Sequence, residues 1–189
     1  LTGLLIQYLC EKKRGPVLAV DADANSNLNE VLGVKVDATL GEIREEIERA
    51  EMSTSSPIPA GMSKADYAEF KLNSALTEDD DFDLLVMGRT QGKGCYCYVN
   101  GLLQAQMAKL QKNYAYMVVD NEAGLEHISR GILPNMETAI LVSDCSRRGV
   151  QAAGRIAELI RECDLKPKSV GLIVNRAPGG VLNDGTREE

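Results

Sequence analysis

The sharpest chemical signal in the chain is the pair Cys95 and Cys97, in the run Gly92-Lys93-Gly94-Cys95-Tyr96-Cys97-Tyr98-Val99-Asn100. In an extended segment the side chains at i and i+2 share a face, so both thiolates reach one ion. On a helix they would diverge by ~200° and could not chelate together. Glycine before the pair and tyrosine between and after it point to an exposed loop or edge. The competing reading is two buried, inert thiols. Two sulfurs only half fill a Ni²⁺ or Zn²⁺ site, and the single histidine, His127, is distant in sequence. A two-fold dimer would bring four sulfurs together, a set that suits a soft ion without choosing nickel over zinc.

Carboxylates form the second group. Asp120 ends the apolar run Tyr116–Asp120 and is followed closely by Gly124. That is the arrangement of a Walker B element, in which the carboxylate holds Mg²⁺ and the glycine loop senses a γ-phosphate. A strand merely capped by a polar residue before a turn gives the same pattern. Asp21 and Asp23 follow Val17–Val20 at i and i+2 spacing, able to orient a water or approach a metal. Asp and Asn also shape turns and cap helices without further chemistry. Asn175, followed by Arg176, offers an amide with paired donor and acceptor, suited to a purine edge.

These residues sit at the ends of elements that the pattern of apolar residues defines. Leu4, Leu5, Tyr8 and Leu9 recur at helical spacing from Thr2 to Cys10, and Lys12-Lys13-Arg14-Gly15 supplies a basic end and a glycine stop. Short apolar runs at 17–21, 83–87, 116–120, 138–142 and 169–175 read as buried strands. Helix-period stretches at 38–50, 66–76, 100–112 and 149–163 lie between them, and the Ser/Pro-rich stretch 52–61 reads as a loop. Near-continuous apolar strands alternating with helices predict a doubly wound α/β fold, a mainly parallel sheet covered on both faces. Asp21 and Asp23, Asp120, Ser143 and Asp144, and Asn175 then collect at the carboxyl ends of the strands, where open parallel sheets bind ligands.

Composition narrows the function. Hydrophobic residues at 44% and charged residues at 26% give a globular, mainly aliphatic protein, and 189 residues suffice for one domain. A net charge of -7 argues against nucleic acid or an anionic membrane as partner. Five cysteines without disulfide-scaffold spacing point to free thiols in a reducing, cytoplasmic setting. Cys10 and Cys163 read as packing residues, and no apolar run approaches the ~20 residues of a membrane span.

Taken in order, VLAVDADANSNL, CYCYVN, VVDNEAGLEHISRG, ILVSD and IVNR resemble the MinD/NifH-like, deviant Walker A ATPases of the P-loop superfamily. Within these the chain is most similar to the CooC-type nickel-insertion accessory ATPases of carbon monoxide dehydrogenase, with CYCYVN and DNEAGLEH as the specific pieces. The resemblance implies an ATP hydrolase using ATP/ADP and Mg²⁺, a nucleotide- or metal-dependent homodimer, and carbon monoxide dehydrogenase as client. It places Asp23 as the switch I carboxylate on the attacking water and Asp120 as the Walker B carboxylate. Asp21, Gly124, Asn175 and Arg176 fall on the nucleotide, Gly124 as the switch II glycine and Asn175 as the adenine reader. Cys95 and Cys97 fall on a shared Ni²⁺ or Zn²⁺. The family's phosphate loop, of the form GKGGVGKTT, would lie just ahead of Leu1. The chain is therefore expected to be one nucleotide-binding domain lacking its first strand, its phosphate loop and a C-terminal element. Thr2 is not the family's Mg²⁺ threonine, because those hydroxyls precede Leu1, and Ala24 stands where the family usually has proline. A MinD/ParA-like positioning switch and a NifH-like iron–sulfur reductase are the alternatives. The second would need a further cysteine near Gly124, and residues 121–130 contain none.

Overall fold

The computed structural model of the chain describes residues 1–23, 25–52, 58–88, 105, 107–121, 136–162, 165–182 and 184–188. They form two compact units, one within residues 1–121 and one within 136–188, each taken by itself below.

In the first unit, helix α1 (Thr2–Glu11) leads into strand β1 (Val17–Asp21), then the short helix α2 (Leu28–Leu32), α3 (Leu40–Met52) and α4 (Lys64–Ala75). Strands β2 (Thr77–Glu78), β3 (Phe82–Val86) and β4 (Tyr116–Asp120) complete a four-stranded sheet in the order β2-β3-β1-β4. β1 is its centre, parallel to β3 and to β4, with Asp21 level with Val86 on one side and Asp120 on the other. Only β2 runs antiparallel, on the edge beside β3.

All five residues of β1 are buried, which is why it reads as an unbroken apolar run. Its alternate side chains serve opposite layers. Leu18 and Val20 pack with Leu85 and Met87 against Leu40, Ile43 and Ile47 of α3 and Tyr67, Ala68 and Leu72 of α4. Val17 and Ala19 pack with Leu84 and Val86 against Ile6 and Leu9 of α1 and Leu28 of α2. Helices therefore cover both faces, as the sequence predicts.

Local chemistry sets the helix starts. Ser63 and Asp66 form a reciprocal capping box at the head of α4, and Thr39 and Glu42 exchange hydrogen bonds at the head of α3. The buried stripe of α1 is Gly3, Ile6 and Leu9; of the expected Leu4, Leu5, Tyr8 and Leu9, Leu9 is buried and Leu5 half-buried, whereas Leu4 and Tyr8 are 68% and 50% exposed. Gly3 permits the close approach of α2: a Cβ there would lie 2.6 Å from Val31 Cγ1. Residues 107–110 are helical and pass into a 3₁₀ turn at Gln111–Asn113.

The second unit pairs β5 (Thr138–Asp144) with β6 (Ser169–Asn175) in parallel, Asp144 level with Asn175. Helix α5 (Arg147–Glu162) packs on β5 and buries Val150, Ala153 and Ile160; α6 (Asp184–Arg187) follows. No helix among the described residues is long and apolar enough to cross a membrane.

Candidate functional site

Three of the sequence-derived residues meet at the carboxyl edge of the first sheet. Asp21 closes β1, Asp120 closes β4 at the same level, and Asp23 lies two residues past the end of β1. The main chain is tied across this edge, with Ala22 N–H donating to Asp120 O at 2.8 Å and Met87 N–H to Asp21 O at 2.8 Å.

Asp21 is 1% exposed, and both carboxylate oxygens accept backbone N–H groups from its own loop: Oδ1 from Asp23 at 3.0 Å and Oδ2 from Leu28 at 2.9 Å. Its side chain thus anchors the loop that carries Asp23 and starts α2. Burial pushes the Asp21 carboxyl above its ordinary value of 3.8, the two backbone N–H groups pull it back, and the charges of Asp120 and Asp23 add to the rise. Asp23 is half-buried. Its Oδ1 accepts Asn25 N–H at 2.8 Å and its carbonyl accepts both N–H and Oγ–H of Ser26. Ser26 takes the left-handed φ of 53°, a tight turn that lets the loop fold back.

Asp120 is half-buried, and its Oδ1 accepts the hydroxyl of Thr2 at 2.7 Å. Among the described residues, Oδ2 of Asp120 and Oδ2 of Asp23 accept no hydrogen bond. Asp120 at the end of β4 and Asp23 in the loop after β1 therefore each leave one carboxylate oxygen uncommitted, oxygens of the kind that Mg²⁺ and a polarised water use. Sequence alone does not place Thr2 in the site; its hydroxyl reaches Asp120 across 118 positions, and only the packing of α1 on β4 brings them together.

β3 also ends at this edge, its Val86 level with Asp21, and the cysteine pair follows it in the sequence. Past Val86 the chain is held by Gly41 N–H donating to Met87 O at 2.8 Å. Gly88 follows, buried, with φ +67°, and a Cβ there would collide with Thr39. Cys95, Cys97, Gly124 and His127 lie outside the described residues. Among those described, no group of three or more His, Cys, Asp or Glu side chains is placed to hold a metal ion.

In the second unit Asp144 and Asn175 end paired strands. Asp144 Oδ1 accepts both N–H and Oγ–H of Ser146, and those bonds, with the nearby Arg176 charge, hold its carboxyl below the usual range. Asn175 is exposed, its Oδ1 accepts Arg176 N–H at 2.9 Å, and Arg176 adopts φ 57°. Cys145 Sγ–H donates to Arg176 O at 3.4 Å, and Thr186 Oγ1–H to Cys145 O at 3.1 Å. The Asn175 amide N–H₂ makes no hydrogen bond among the described residues, leaving a donor for a ring nitrogen.

The mainly parallel sheet with helices on both faces is the fold of the MinD- and ParA-type P-loop ATPases. The ParA family ATPase of Chlorobium tepidum superposes with a TM-score of 0.67 at 18% identity, covering 99% of this chain and 72% of that one. The chain belongs to the same family as MJ0685, an ATP-binding protein of Methanocaldococcus jannaschii. The two are 45% identical over 93% of this chain and 68% of that protein. The carbon monoxide dehydrogenase accessory protein CooC of Rhodospirillum rubrum is 26% identical over 94% of this chain and 74% of its own length. No family model matches the chain.

Proposed function

We propose that the protein is an ATP-dependent nickel carrier that binds metal through Cys95 and Cys97 at a homodimer interface and releases it as its nucleotide is hydrolysed. The observation that carries this reading is the place of Cys95 and Cys97 in the sequence after β3. The end of that strand is level with Asp21 and is hydrogen-bonded to it through Met87. A change at the Asp21–Asp23 loop is thereby one hydrogen bond away from Met87, which precedes Cys95 in the sequence. The similarity to an ATP-binding relative and to CooC supports the same reading.

Asp120 would hold Mg²⁺ through the oxygen that Thr2 leaves, and the cation would neutralise charge on the phosphates. Asp23 would orient the attacking water with its uncommitted oxygen while Asp21 holds its loop. Asn175 would read adenine through its free amide hydrogens, with Arg176 beside it and Gly124 as the phosphate-sensing hinge. The nickel ion is cargo: its release requires that the thiolates of two protomers bind it more tightly in one nucleotide state than in the other. Carbon monoxide dehydrogenase is the client this reading implies, in the cytoplasm.

Anaerobic titration of the protein with Ni²⁺ and Zn²⁺, with mass measured at each step, tests it. The reading expects one ion per two chains, and loss of that ion together with the dimer when Cys95 and Cys97 are both replaced by Ala. Metal retained by the double variant would place the site elsewhere. The fold itself favours one rival, a MinD/ParA-like positioning switch. That rival expects nucleotide-dependent dimerisation with no dependence on Cys95 or Cys97.

A further inference from the structure

We propose that Thr2 is a positioning residue for the Asp120 carboxylate, fixing the rotation that leaves Oδ2 for the cation; this rests on reading Asp120 as the Mg²⁺ carboxylate. An aspartate χ2 is a broad, two-fold torsion, so a carboxylate at a strand end is not oriented by its backbone alone. The Asp120 main chain is pinned by Ala22 N–H on its carbonyl, which leaves the side-chain torsion as the free variable. The Thr2 hydroxyl removes that freedom with a bond of 2.7 Å to Oδ1, close to the best O–H···O separation. Both residues are half-buried, so water competes poorly for the bond.

Thr2 can do this because α1 starts beside the end of β4. The helix is seated by Ile6 and Leu9 in the layer that also takes Val118 of β4, and Thr2 rides in its first turn. Movement at the head of α1 is therefore passed to the carboxylate by one hydrogen bond. Threonine suits this role because its branched Cβ narrows χ1 to two rotamers in a helix, which limits the entropy lost when the hydroxyl is held.

The test uses the full-length protein with Thr2→Val, which keeps the shape and loses the donor, and Thr2→Ser, which keeps the donor. Three readings are taken: ATP hydrolysis against Mg²⁺ concentration, binding of a fluorescent ATP analogue in EDTA, and the thermal midpoint. For the valine variant, half-maximal Mg²⁺ rises about tenfold, the ratio matching one hydrogen bond to a charged group. Its nucleotide binding in EDTA stays unchanged, and serine restores the wild-type curve. A purely structural tie between α1 and β4 would lower the midpoint and leave the Mg²⁺ curve in place, which would overturn the inference. Wild-type Mg²⁺ dependence in Thr2→Val would also overturn it and leave the ATPase reading standing. Absence of Mg²⁺-dependent hydrolysis in the wild type would overturn both. Should the valine variant fail to fold, Thr2→Ala carries the same comparison.

Discussion

Asp21→Asn should destabilise the protein although it removes a buried charge. Each Asp21 oxygen accepts one backbone N–H, from Asp23 and from Leu28, and the second of these bonds is buried. Asparagine has the same shape but only one acceptor oxygen. Its N–H₂ group would face one of the two backbone donors, leaving a buried N–H without a partner. An unsatisfied buried group costs about 1–3 kcal/mol, and the lost bond to a charged acceptor is of similar size. Relief of carboxylate desolvation offsets part of this. The net expectation is a loss of about 1–3 kcal/mol at neutral pH, a large share of a typical ~5–15 kcal/mol stability. Urea unfolding followed by circular dichroism, from pH 7.5 downward, reads it. The pH trend has a definite sign. Burial raises the Asp21 carboxyl above 3.8 in the folded state. The folded state therefore holds that proton more tightly than the unfolded chain. Its contribution is fully present below 3.8 and is lost as pH rises through the folded value. The gap between wild type and Asp21→Asn should thus widen as pH falls through that window. A variant within ~0.5 kcal/mol of wild type at neutral pH refutes the loop-anchor role, and a gap that narrows toward acid refutes the raised carboxyl.

Other substitutions probe the elements around this edge. Gly88→Ala forces a side chain onto φ +67° and puts a Cβ 2.6 Å from Thr39 Oγ1. It should cost about 1–3 kcal/mol by thermal unfolding, and a neutral result would mean that β3 joins α3 less tightly. Leu84, fully buried in the layer under α1 and α2, should cost about 2–5 kcal/mol when changed to Ala, read by the denaturation midpoint. Asp23→Asn in the full-length protein should block ATP hydrolysis and permit ATP-dependent dimerisation, with phosphate release and sedimentation as the two readings. Unchanged turnover would remove Asp23 from the chemistry.

The parallel strands are legible in the sequence as apolar runs, although among the described residues only β1 is buried along its whole length, while β5 and β6, which also read as buried strands, are largely exposed. β1, β4 and β6 match those runs end to end, β3 is offset by one residue, and β5 extends two residues further. β2 has two residues at an exposed edge and so carries no such signature. α2 is hidden for another reason: its start depends on Asp21 accepting Leu28 N–H from seven residues away, a tertiary bond rather than a local cap. The inward face of α1 differs in part from the expected one because Leu4 and Tyr8 are apolar like Ile6, and only the neighbours decide which side of Leu9 is covered. At the site, strand-end chemistry exposes Asp23 and Asp120 to inspection. It does not separate the structural part of Asp21 from a ligand-binding one, since both roles put a carboxylate at the same place. Thr2 has no local mark at all, because its partner stands 118 residues away.

The central claim is that nucleotide state governs metal affinity. It is tested most directly by anaerobic competition of the full-length protein against a chromophoric chelator for Ni²⁺, once with a non-hydrolysable ATP analogue and once with ADP. Nucleotide-gated release requires one Ni²⁺ per two chains and affinities that differ by about tenfold or more between the two states, a coupling of about 1.4 kcal/mol. Equal affinity in both states would contradict it, because a ligand that binds two conformations equally can shift neither.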